Sequence, residues 1–164
     1  WSEEKFGWGP IQIGYSFAAF GLCMAFTQGY LMRKIIRYIG ENKTVTITLY
    51  INIISFFFIA FITDSWMVWV LIPVISLGVI SGPALQGLMS QAVPDNQQGE
   101  LQGLLTSITA IGMIISPLLM TFTFGFFTGV GNYLYFPGSP FIISFVLIIL
   151  CIILYSKRSS KGEK

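Results

Sequence analysis

Neutral hydrogen-bonding groups set the chemistry open to this sequence, because the residues behind most catalysis are absent or badly placed for it. There is no histidine, and the seven acids (Glu3, Glu4, Glu41, Asp64, Asp95, Glu100 and Glu163) fall between the long apolar runs or at their edges. Intramembrane proteolysis by paired aspartates, or a proton relay, needs an ionisable group at depth. ATP hydrolysis needs a glycine-rich phosphate loop, and none is present. The chain therefore reads as a non-enzyme, with no catalytic residues, metal site or cofactor. What remains is a set of amides and hydroxyls: Gln28, Gln86, Ser90, Thr106, Ser107 and Thr109. With Phe17, Phe20 and Met24 for apolar contact, such groups suit a small amphipathic ligand. Each could equally serve as an interhelical hydrogen bond.

The densest concentration is PALQGLMSQAVPDNQQGELQG, from Pro83 to Gly103. It holds Gln86, Gln91, Gln97, Gln98 and Gln102 within otherwise apolar surroundings. Gln86 follows Pro83, a residue that lacks a backbone donor and clashes with the preceding helical turn. An amide at such a bend has backbone groups and open space within reach.

These residues sit on elements that composition identifies. Hydrophobic residues make up 54% of the 164, charged ones only 10%, and mean hydropathy is +0.76. Charge is absent from Phe6 to Met32, Thr44 to Thr63, Ser65 to Pro94 and Leu101 to Ser156. A bilayer core takes about 20 apolar residues per helix. The first three runs fit one span each, and the fourth, broken at GVGNYLYFPGSP (129–140), fits two. The expectation is an all-α polytopic membrane protein with spans at about 11–33, 44–63, 66–91, 100–128 and 140–156, and a tail at 157–164. The ten-residue alternation of outer-membrane barrels is missing. The opening WSEEKFGWGP lacks the basic start and apolar core of a signal peptide. Cys23 and Cys151 lie inside spans and read as small apolar packing residues.

Arg33, Lys34, Arg37 and Lys43 lie between spans one and two, and Lys157, Arg158, Lys161 and Lys164 follow span five. One side thus holds eight of the nine cations, with Lys5 alone opposite. By the positive-inside rule the C-terminus is cytoplasmic and the N-terminus outside. Trp66, Trp69, Tyr133 and Tyr135 fall near the outer interface, where amphipathic rings prefer to lie. A net charge of +2 gives no reason to expect nucleic acid. An odd span count that starts outside leads to the expectation of a C-terminal portion of a longer polytopic protein.

Span one carries Gly14, Ala18 and Gly21 on one face, allowing close helix approach, and runs into a basic loop with Gly29 and Gly40. Span two is aromatic and β-branched and reads as a peripheral, lipid-facing helix whose Asn52 bonds a neighbouring helix. Span three, with Pro73, Pro83 and the Gly78–Gly82 GxxxG pair, is expected to be bent or locally open. Span four repeats that style with Gly99, Gly103, Gly112 and Ser116-Pro117. Helices broken in this way often rock against one another or line a cavity. Span five is uniformly apolar and reads as lipid-facing.

Pro83 to Leu119, PALQGLMSQAVPDNQQGELQGLLTSITAIGMIISPLL, resembles spans ten and eleven of the tetracycline-efflux-like branch of the major facilitator superfamily. There P-A-L-Q-x-x-x-S, a short Q-rich loop, Q-G-x-L-Q-G and a late G-P-L recur in order; here Ser116 stands in place of that last glycine. QGYLMRKIIRYIGENK resembles the family's basic eighth-to-ninth connection, with Gln28, Gly40 and Glu41 at matching spacing, and EEKFGW resembles the segment after span seven.

The resemblance implies spans eight to twelve of a twelve-span drug:proton antiporter in the bacterial inner membrane. Its partners would be the lipid bilayer, protons, a drug-like small molecule, and the missing N-terminal bundle and span seven of the same protein. Phe20, Met24, Gln28, Gln86 and Ser107 would lie on the substrate path. Gly29, Gly40, Glu41, Gly82, Pro83, Gly99, Gln102, Gly103 and Pro117 would serve conformational change. The glutamine-rich turn would be the cytoplasmic ten-to-eleven loop, exchanging amide partners as the two halves rock. The five spans alone would not transport. A free-standing five-span scaffold or accessory subunit is the alternative, using the same glycines and amides purely for packing.

Overall fold

The computed structural model describes residues 1–129 and 135–162. Tyr133 and Lys164, which figure in the interface and orientation readings, lie outside the described residues. Five helices are long and apolar enough to cross a membrane: Pro10–Ile39, Glu41–Phe61, Ser65–Gln91, Asp95–Thr128 and Ser139–Lys157. With the helical connections between them they form an all-α, multi-span membrane protein.

A short helix, α1 (Ser2–Phe6), precedes the first span. That span begins with proline at its first turn, where a missing N–H costs nothing. It comprises α2 (Pro10–Phe26), one π-helical turn (Thr27–Leu31) and α3 (Met32–Ile39). Gly40 then turns the chain at φ 79°, a left-handed conformation that favours glycine, and caps α4 (Glu41–Phe61). Thr44 Oγ1 donates to the Gly40 carbonyl at 2.7 Å and reinforces that turn.

The third span is broken where its sequence predicts. It consists of α5 (Ser65–Gly78) and α6 (Ser81–Gln91), interrupted at Val79 and Ile80. Pro83 has no N–H to offer the Val79 carbonyl four residues earlier. The chain refolds with Pro83 in the first turn of α6, a position proline tolerates. Pro73 lies within α5 without ending it. A 3-10 turn (Asp95–Gln97) leads into α7 (Gln98–Thr128), which runs helical through Pro117. The last helix, α8 (Ser139–Gly162), continues through most of the segment read as a tail.

Span two is not the peripheral helix its aromatic content suggests. α4 packs against α3, α5, α6 and α8, burying Thr44, Val45, Thr48, Ser55, Ile59 and Ala60. Small and hydroxyl residues on that stripe admit neighbouring backbones, which is how helices associate when lipid is as apolar as they are. Tyr50, Ile54, Phe57, Phe58 and Phe61 cover the exposed side. Those large rings dominate the composition and hide the packed stripe from a linear reading.

Two apolar clusters hold the helices together. One gathers Trp8, Ile59, Ile62, Val68 and Ile72, with Phe20, Cys23 and Phe141 against it. The other gathers Val45, Ile80 and Ala84, with Met32, Ile35, Ile36, Leu88 and Tyr155 around them. Cys151, by contrast, is exposed on α8. Near the first cluster, Trp1 meets Phe6 and Phe141 edge-on, and Trp8 lies 6.1 Å from Trp69. Burial lowers the ionisation of Lys5 beside them. The Tyr135 hydroxyl donates to Glu4 Oε1 at 2.6 Å, and that bond is the main reason its pKa is raised above the ordinary phenol value.

Candidate functional site

The break in span three positions the site. Because α6 starts afresh at Ser81, it leaves α5 under its own capping constraints. Asn52 of α4 stabilises the gap: its Nδ2 donates to the Gly78 carbonyl at 3.0 Å and lies 3.4 Å from Ser81 Oγ. Ser81 Oγ also donates to that carbonyl, at 2.8 Å. The approach requires glycine, since a Cβ at Gly78 would collide with the Asn52 amide. Asn52 thus bonds a neighbouring helix, as its sequence position suggested.

Beyond the break, α6 and α7 face each other across an open cleft of about 560 Å³. Gly82, Pro83, Gln86 and Met89 line one wall, and Gln102 and Thr106 lie on the other. Gln86 Nε2 donates to Gln102 Oε1 at 2.8 Å. This bond leaves Gln86 its second N–H and its carbonyl oxygen, and Gln102 its NH2 and one lone pair. The walls are otherwise largely apolar, with Leu85, Leu105 and Met113 among them. An uncharged or zwitterionic amphipathic molecule matches that mixture of apolar walls and a few polar groups.

The turn closing one end of the cleft is stapled by a different glutamine. Gln98 Nε2 donates to the carbonyls of Ser90 (2.7 Å) and Val93 (3.1 Å), while its Oε1 accepts from Ser90 Oγ (2.8 Å). Ser90 lies in the last turn of α6, whose carbonyls the helix itself cannot satisfy, and Val93 lies just beyond its end. Gln91 reaches sideways, donating to Glu41 Oε2 at 2.9 Å. Glu41 sits in the first turn of α4, where a carboxylate is favoured by the helix dipole, and its Oε1 lies over Gly87.

The structure brings Gln86, Gln102, Gly82 and Pro83 together at one cleft, joined by Thr106 and Thr109. Ser107 faces away from it, exposed, with its hydroxyl bonded to the Gly103 carbonyl at 2.9 Å. Phe20 is packed into the first apolar cluster, and Met24 is half-buried on α2. Gln28 and Gly29 lie on the π-helical turn, an irregularity often found at functional sites. Around Gly99 and Gly103 there is open space where a side chain would go. Gly40 and Glu41 form the entry to α4, and Pro117 lies within α7.

Three side chains escaped the sequence reading. Gln98 gave no sign of differing from Gln97 beside it. Thr27 and Ser76 form a buried bridge at 3.3 Å between the π turn and α5. Ser76 donates its proton to the Pro73 carbonyl at 2.7 Å, so Thr27 is the donor to Ser76. A serine three residues after an intrahelical proline was the available signal.

A family model described as Major Facilitator Superfamily matches residues 2–164. The chain is 39% identical over 122 residues to the class E tetracycline resistance protein of Escherichia coli, covering 74% of this chain and 30% of that one. It is 32% identical over 152 residues to the class G tetracycline resistance protein of Vibrio anguillarum, covering 93% and 37%. A more distant relative is hippocampus abundant transcript-like protein 1 of Rattus norvegicus, 25% identical over 162 residues, covering 90% and 32%. The chain spans about a third of the length of these curated relatives. No solved structure matches it significantly.

Proposed function

The chain belongs to the major facilitator superfamily, and from that premise we propose that it supplies spans eight to twelve of a twelve-span exporter. The exporter sits in the bacterial inner membrane with its C-terminus cytoplasmic. It carries a tetracycline-type or other amphipathic drug-like compound outward in exchange for protons. The names of the relatives support the substrate class. The observation that carries the reading is the cleft between α6 and α7, with Gln86 and Gln102 joined across apolar walls.

The mechanism is alternating access, in which one bundle rocks against another around a site near the bilayer midplane. Gln86 and Gln102 orient the substrate, while Phe20, Met24, Gln28 and Ser107 contribute to its path. The broken helix at Gly82 and Pro83, and the positions Gly29, Gly40, Glu41, Gly99, Gly103 and Pro117, serve the rocking. α7 contacts α8 and its own leading turn and leaves most of its length exposed, which supports a role facing further spans of the same protein. The described acids lie at helix ends and connections, so the proton-carrying group belongs to those other spans, and the five spans alone do not transport.

The test is expression of the complete protein in an efflux-deficient bacterial strain, measuring drug accumulation with and without a protonophore. Reduced accumulation, abolished by the protonophore and by Gln86→Ala, supports the reading. Unchanged accumulation across a panel of amphipathic compounds overturns it. A defined assembly of the five spans alone would then point to a scaffold.

A further inference from the structure

The first span is longer than a membrane requires. Pro10–Ile39 contains 30 residues, about 45 Å of helix, against a hydrocarbon core of about 30 Å. The excess of about ten residues corresponds to α3, which therefore emerges at the headgroup layer. Its rotation is set by packing, because Met32, Ile35 and Ile36 lie against the cluster of Val45, Ile80 and Ala84.

At about 100° per residue, fixing that apolar face aims Arg33, Arg37, Tyr30, Lys34 and Tyr38 into one sector about 140° wide on the opposite side. All five are exposed, Tyr30 at 56% and Tyr38 at 78%. Lys34 Nζ lies 5.8 Å from the centroid of the Tyr30 ring, a cation–π contact that holds it in the sector. None of the three cations is paired with a carboxylate among the described residues. The nearest acid in sequence, Glu41, is turned toward Gln91 and Gly87.

We propose that this cationic face of α3 binds the phosphate-bearing headgroup of an anionic phospholipid, with Tyr30 at the depth of the glycerol region and Tyr38, about 12 Å further along the helix, nearer the water. Charge complementarity and position select the occupant. A cluster of cations directly at the end of a membrane span meets lipid phosphate before any soluble anion, and Lys43 adds a fourth charge just beyond Gly40. Aromatic rings beside the cations suit the interface rather than bulk water. The proposal does not depend on the transported substrate.

The experiment is native mass spectrometry of the intact protein released from bilayers of equimolar phosphatidylglycerol and phosphatidylcholine, with both leaflets identical so that orientation has no effect. Phosphatidylglycerol should be retained in preference. Arg33→Gln/Lys34→Gln/Arg37→Gln should reduce that preference by up to about fivefold per charge removed, whereas Lys5→Gln at the other end should leave it unchanged. The charge-preserving Arg33→Lys/Arg37→Lys protein should retain most of the preference, which separates a folding defect from a lost site. Inorganic phosphate should displace no more lipid than chloride of equal ionic strength; specific displacement would identify a free-anion site and overturn the lipid assignment. Equal retention of both lipids, or a preference that survives the triple substitution, would overturn the proposal and leave the face to another part of the protein.

Discussion

Gln86 and Gln102 meet amide to amide at 2.8 Å across the cleft between α6 and α7. Both are exposed and neither is charged, so the bond can be exchanged for one to a ligand without stranding a buried charge. A net hydrogen bond of this kind contributes about 1 kcal/mol, roughly a fivefold effect on affinity. On the proposed export function, Gln102→Ala in the complete protein should therefore raise the transport KM severalfold. Gln86→Glu removes the donor but leaves an acceptor that Gln102 can meet by turning its NH2 toward it, and should cost less. Transport into inverted membrane vesicles measures both. An unchanged KM in both variants would remove the pair from the substrate path.

The two adjacent glutamines of the turn should behave differently. Gln98 makes three hydrogen bonds to the end of α6, and Gln97 is exposed at the 3-10 turn. Gln98→Ala leaves the Ser90 and Val93 carbonyls to find water and should open the turn to limited proteolysis severalfold faster. Gln97→Ala should cleave at the parent rate. Equal cleavage of the two variants would show that the staple does not hold the turn.

What was legible in the sequence follows from which signals are local. Charge-free runs marked the spans because the bilayer imposes a length, and Pro83 marked the break because a missing N–H acts four residues away. The role of α4 was hidden because its exposed Phe57, Phe58 and Phe61 outweigh Thr44, Thr48, Ser55 and Ala60 in any average, although the small residues do the packing. Gln98 and Gln97 differ only in the direction the 3-10 turn gives them after Pro94. The π turn at Thr27–Leu31 carries a bond to Ser76, 49 residues away, a partner that periodicity cannot register.

At the opposite end of the bundle, the Tyr135–Glu4 bond should respond to alkali. The neutral phenol is the donor and the carboxylate the acceptor, so the bond resists ionisation and raises the pKa of Tyr135. A group with a raised value in the folded state contributes its stability in full below the ordinary phenol range, near pH 10. That contribution is lost as pH rises through the higher folded value. Glu4→Gln removes the anionic acceptor, and Tyr135 should then titrate closer to the ordinary range. Tyrosinate absorbance, with a Tyr135→Phe protein subtracted to isolate this residue, reports the shift. Superimposable titrations of the parent and Glu4→Gln proteins would rule the coupling out.

The contact between Asn52 and Gly78 makes the sharpest claim about the broken helix, because it links a polar side chain to a position without one. Asn52→Ala removes the donor at 3.0 Å and leaves the Gly78 carbonyl to Ser81. Interhelical hydrogen bonds in membranes average about 0.6 kcal/mol and reach about 1.7; a contact beside unwound backbone belongs in the upper part of that range. Gly78→Ala drives a methyl into the Asn52 amide, and overpacking of this kind costs about 1–3 kcal/mol. In the double variant the clash has lost its second member. Asn52→Ala/Gly78→Ala should therefore be destabilised by clearly less than the sum of the single changes, and by less than Gly78→Ala alone if the clash exceeds the lost bond. Reversible denaturation of the purified intact protein in mixed micelles gives all three values. Strict additivity would mean that the two residues act independently, and the break would then owe its stability to Pro83 and Ser81 rather than to α4.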